Sequence, residues 1–219
     1  MDNDKIKVAV IVAHPDDETL WAGGTLLTAQ LWECFSVCLC RKDDPDRAPK
    51  YYRALDYLGV SGTMGDLDDS PEQVPLAGKE LEAAILRLLP PIHYDLVISH
   101  SPQGEYTRHR RHEETGRAVI NLWHTQRITT RQLWLFAYED GQRRYLPQPI
   151  QAAPVYYALA NRVWEKKHQI ITGIYGFGKD TWEAKTTPVA ESFWEFADKE
   201  EAFRWMVNRN KENEGFSAV

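Results

Sequence analysis

The sequence predicts an α/β fold built on a largely parallel sheet, and three observations carry that expectation. "IKVAVIVA" (6–13) and "YDLVISH" (94–100) are continuous apolar runs rich in β-branched residues. Strands buried on both faces of a parallel sheet have this composition. Segments of helical period stand between the strand-like runs, which is the alternation of βαβ units. Finally, the first run is followed at once by His14 and the second ends on His100, so polar chemistry gathers at one end of the sheet. In open α/β sheets ligands bind outside the carboxyl ends of the strands.

The elements follow in order. Residues 18–32 read as a helix, with Leu20, Leu27 and Leu31 on one side and Gly23 and Gly24 permitting close packing on the sheet. "FSVCLC" (35–40) is a second strand, followed by the polar loop "RKDDPDRAP". A helix over 47–58 stops at Gly59, and "GTMGDLDDSPEQVP" reads mostly as loop. The next helix, 77–89, is ended by Pro90 and Pro91. After the 94–100 strand come a loop with Gly104, a helix over 109–124 and a strand over 132–139. "APVYYALA" is strand-like, 162–172 is helical, and 191–208 is expected to be a closing amphipathic helix. No repeat, low-complexity linker or charge block divides the 219 residues, so a single domain over 1–219 is expected.

Composition narrows the partners. Apolar residues make up 43% and charged residues 26%, the balance of a globular protein, and the net charge is −6. That sign argues against nucleic-acid or anionic-membrane binding, which needs a basic face. A small molecule is the expected partner, and homo-oligomer formation is left open. "MDNDKIK" carries no signal h-region and no apolar run reaches a membrane span, so a cytoplasmic location is expected. Cys34, Cys38 and Cys40 read as buried free thiols, with Cys38 and Cys40 on one face of their strand.

Two clusters carry chemistry. In "AHPDDETL", one histidine and three acids occupy five positions at the start of a helix, whose dipole favours their ionised forms. A single N-cap accounts for one acid, not three. In "GEYTRHRRHEETG" (104–116), His109 and His112 are spaced i, i+3 and point toward the same side of a helix start. Together the clusters offer one or two imidazoles and a carboxylate with a coordination position left open, the layout of catalytic zinc. An open zinc site lowers the pKa of water there to about 7, and a neighbouring carboxylate outside the ligand set can take the proton. Arg108, Arg110 and Arg111 read as a solvated basic edge. His100 reads equally as a support for the metal site or as the polar end of a strand.

"AHPDDETLWAGGTL" (13–26) resembles the signature of the LmbE-like, or PIG-L, zinc-dependent N-deacetylases. "YDLVISH" leading into "GEY", the downstream histidine pair, "RAPKYYRALDYLGV" (47–60) and "AESFW" (190–194) agree with it. The resemblance implies a Rossmann-like three-layer α/β sandwich. It implies that His14, Asp17 and His112 ligate zinc, that Asp16 is the general base, and that His109 polarises the carbonyl or protonates the leaving amine. The implied reaction removes the N-acetyl group from an N-acetylglucosamine-type sugar or glycoconjugate. A non-sugar amide substrate, or a homologue that binds metal or ligand with weak turnover, are the alternatives. The chain departs from the family at its second motif, where Arg110 and Arg111 stand in place of Pro-Asp and one extra residue separates Tyr106 from His109. The family aspartate at the Arg111 position would charge-tune the neighbouring imidazole, so His109 is expected to protonate less readily here.

Overall fold

The structure, a computed structural model, describes residues 5–216, with side chains as far as residue 209. β1 (Ile6–Val12) lies at the centre, and Val8–Val12 are fully buried between two layers of helices. It pairs in parallel with β2 (Trp32–Cys40) on one side and β4 (His93–Ser99) on the other. With β3 (Ser61–Leu67) and β5 (Thr129–Phe136), these form five parallel strands in the order β3-β2-β1-β4-β5. The order reverses between β1 and β4, which opens a crevice at their carboxyl ends. The Rossmann-like α/β expectation therefore holds.

Helices cover both faces. α1 (Asp17–Thr28) and α2 (Arg47–Leu58) bury Trp21, Tyr51 and Leu55 on one side. α3 (Gly78–Leu88) and α4 (Arg110–His124) bury Leu81, Ile85, Val119 and Trp123 on the other. α2 stops where sequence reasoning ends it, because Gly59 takes a left-handed φ of 70° and its N–H returns to the last turn. A small ribbon, β6 (Tyr138–Glu139) with β7 (Gln148–Pro149), follows β5. β8 (Val155–Ala158), α5 (Asn161–Gln169), a π-helical turn (Ile170–Ile174) and α6 (Trp182–Thr186) lead to β9 (Ala190–Phe196) and α7 (Lys199–Phe216). No helix among the described residues is long and apolar enough to cross a membrane.

Three expectations are corrected. "GTMGDL" is not loop: it forms most of β3, paired with β2. Its glycines serve close approach, since a Cβ at Gly62 would lie 2.5 Å from both the Ser36 carbonyl oxygen and Leu55. Residues 191–208 are not one helix, because β9 inserts antiparallel between β5 and β8 before α7 begins. Glu191, on β9, is fully buried. It accepts from the Gly24 and Thr25 N–H groups (2.7 Å each), Thr25 Oγ1 (2.6 Å) and Lys167 Nζ (2.6 Å). Four donors make that burial tolerable. Gly24 lets the helix pack close, since a Cβ there would lie 2.4 Å from a terminal methyl of Leu159, which would have to move. Lastly, a register shift between Cys38 and Cys40 sends their thiols to opposite faces of the sheet. All three cysteines are free, and Cys38 and Cys40 are buried.

Candidate metal centre and active-site cleft

The crevice beyond β1 and β4 collects both histidine clusters. The turn after β1 delivers His14, Asp16 and Asp17. The loop after β4 delivers Glu105 and, at the start of α4, His109 and His112. His14 Nδ1, His112 Nε2 and Asp17 Oδ2 form a near-equilateral triangle with sides of 3.1, 3.2 and 3.2 Å.

Each corner is braced from behind. His112 Nδ1 donates to Glu105 Oε2 at 2.6 Å. His14 Nε2 donates to Asp69 Oδ1 at 3.0 Å, and Asp69 Oδ2 accepts from Arg41 Nε at 2.8 Å. Asp17 Oδ1 accepts from Trp21 Nε1 at 3.0 Å. As metal ligands both imidazoles would be neutral, with the outward nitrogen donating and a lone pair turned toward Asp17 Oδ2. Two lone pairs and a carboxylate oxygen would then converge on one point, a donor set for a cation. Donors about 2.0–2.1 Å from a tetrahedral zinc are separated by roughly 3.3 Å, close to the triangle observed. The residues present fit a divalent metal.

His100 lies behind this set. Its Nε2 accepts the Ala13 N–H at 3.0 Å and its Nδ1 donates to Glu105 at 2.9 Å. Its ring stacks on His112 with centroids 4.0 Å apart, so it supports the site rather than entering it.

Burial works against ionising Glu105, but the His100 and His112 imidazoles outweigh it and hold the carboxyl at about 2. Burial also opposes Asp69, and His14 and Arg41 bring it to about 2. Asp17 falls well below the usual range because His112 and His100 overcome its burial. Asp16 goes the other way: burial and then the Asp17 charge push it well up. Its carboxylate is 3.8 Å from Arg47 Nη1. Glu18, raised by burial to about 7, accepts from the Asp16 backbone N–H at 3.1 Å and Tyr175 OH at 2.7 Å, bracing the turn.

His109 stacks on His112 at 4.1 Å and faces His14 edge-on at 4.5 Å. Burial, then the charges of His112 and His14, lower it to about 2, so it is neutral at pH 7. Its Nδ1 is buried without a hydrogen-bond partner. A cleft of about 170 Å³ opens over these groups, walled by Arg41, Arg47, Tyr106, Trp182 and Glu183.

The basic edge is corrected at Arg111, which is 1% exposed and points away from the cleft. It reaches Asp68 O (2.6 Å), Val74 O (2.8 Å), Asp68 Oδ2 (3.1 Å) and Glu114 Oε2 (2.5 Å). Sequence reasoning missed Glu105 and Asp69. Glu105 had a signal, as the one acid between His100 and His109. Asp69 lies in the loop beyond β3, 55 residues from His14, so no spacing in the sequence tied it to the histidines.

The sequence profile of the PIG-L family, GlcNAc-PI de-N-acetylase, matches residues 9–123. The chain belongs to this family of hydrolytic N-deacetylases. No curated protein sequence matches it. Among solved structures, the N,N'-diacetylchitobiose deacetylase from Pyrococcus horikoshii is similar at 17% identity, with a TM-score of 0.65 over 89% of this chain and 85% of that one. The zinc-inhibited form of teicoplanin deacetylase is similar at 17% identity and TM-score 0.58, covering 78% and 84%. A 4-carboxy-2-hydroxymuconate hydratase from Pseudomonas putida shares the fold at 18% identity and TM-score 0.57, covering 83% of each chain.

Proposed function

We propose that the chain works as one zinc-dependent deacetylase domain that removes the N-acetyl group from an N-acetylglucosamine-type sugar or glycoconjugate. The observation that carries this reading is the triangle of His14 Nδ1, His112 Nε2 and Asp17 Oδ2, with Asp16 and His109 in the same cleft. His14, Asp17 and His112 would hold the ion. When bound, a divalent zinc acidifies water and withdraws charge from the amide carbonyl.

The chain's own residues supply the rest. Asp16, kept basic by burial and the Asp17 charge, takes the proton as water adds to the carbonyl. Neutral His109 donates a hydrogen bond to the developing oxyanion. Burial disfavours protonation of His109, so the proton on Asp16 passes to the departing amine. Acetate and the free amino sugar leave.

The likeness to a hydratase makes acetate release the discriminating readout. Wild-type protein should bind about one zinc per chain and release acetate from N-acetylglucosamine derivatives. Asp16→Asn should keep the metal and lose about 10²–10⁴-fold in kcat. Metal binding without acetate release across sugar and non-sugar amides would overturn the reading.

A further inference from the structure

The 68–76 segment has little regular structure beyond β3, yet it must hold Asp69 against His14. It is fastened at four points to the first turn of α4. Arg111 takes the carbonyls of Asp68 and Val74, Arg110 takes that of Gln73 at 2.7 Å, and Glu114 Oε1 accepts the Leu76 N–H at 3.1 Å. Arg111 also grips Glu114 and the Asp68 carboxylate, so one buried guanidinium ties both ends of the loop to the helix.

The geometry differs on the other side of the centre. Glu105 sits in the same short connection as the imidazole it supports, seven residues before His112. Asp69 is 55 residues from His14 and comes from a segment that no other described element secures so heavily. A planar five-donor group suits this task, since lysine cannot span two carbonyls and two carboxylates.

We propose that Arg111 is a positioning residue for the metal centre, clamping the 68–74 loop so that Asp69 fixes the orientation and tautomer of His14. Hydrogen-bonded supports of this kind typically alter metal affinity by about 10–100-fold.

The test uses the full chain with Arg111→Lys, Asp69→Ala and the double variant, each checked by circular dichroism for folding without metal. The first readout needs no metal and is independent of the proposed function: side-chain 15N shifts of His14 in the metal-free protein. Wild type should show a single tautomer protonated at Nε2, and Arg111→Lys should show a mixture. The second readout is zinc affinity by chelator competition, which rests on His14 being a ligand. Arg111→Lys should weaken zinc about tenfold, with no further loss in the Asp69→Ala background. An unchanged His14 tautomer in Arg111→Lys, or equal affinity losses in both backgrounds, overturns the proposal. A wild type that shows the tautomer effect but takes up no zinc leaves the clamp standing and sinks the metal reading instead.

Discussion

His112 and His14 are held by the same chemistry and by very different backbones. Each turns an outward nitrogen to a carboxylate, but Glu105 is wholly buried and shared with His100, while Asp69 lies at the cleft edge beside a part-exposed Arg41. The contrast teaches that the centre has a stiff side built on the β4–α4 connection and a side whose stiffness is imported through a loop. Carboxylate support for an imidazole is common at metal sites; what differs is what supports the carboxylate.

The largest expected effect falls on the stiff side. Glu105→Gln removes the charge that two imidazoles share, and zinc affinity measured by chelator competition should drop toward the upper end of the roughly 10–100-fold range. Asp69→Asn, losing one partner and keeping its shape, should fall nearer the lower end. Equal losses at the two positions would break the comparison.

A smaller effect sharpens it through pH. Glu105 is held at about 2 against an ordinary 4.5, so its ionised form favours the folded state. That stabilisation is complete above about 4.5 and is lost as pH falls toward 2. Thermal melts of the metal-free protein should therefore show Tm falling over this window, with the slope reduced in Glu105→Gln. An identical slope would mean that Glu105 does not carry the acid limb.

The smallest effect is expected at Arg41, whose side chain is 41% exposed. Arg41→Ala should change zinc affinity only about twofold, as a solvent-screened pair contributes little. A tenfold loss would show that Asp69 depends on Arg41 as well as on the loop beneath it.

The parallel half of the fold was legible because burial there obeys simple patterns. β1 and β4 are unbroken apolar runs, and α2 has a clean stripe ended by Gly59. β3 was illegible because Gly62 and Gly65 read as turn signals, while their task is to let the strand approach β2 and its neighbours. β9 was illegible because Glu191 and Ser192 are buried polar residues whose hydrogen-bond partners lie far away in sequence. At the site, His14, Asp16, Asp17, His109 and His112 announce themselves by clustering in sequence, and the structure gathers them in one crevice. Arg111 misled, because a run of arginines looks solvated until the carbonyls that absorb it are known.

The grip of Glu191 on α1 bears on modularity. The family profile ends at residue 123, which invites the idea that everything beyond is an exchangeable appendage. Yet the helix opened by the HPDDE turn has two mid-helix N–H groups satisfied by a carboxylate from β9, itself neutralised by Lys167 of α5. A chimera joining this N-terminal part to another protein's C-terminal part must import an acid and its lysine as a pair. Otherwise the seam runs through the helix that carries the site, not through a linker.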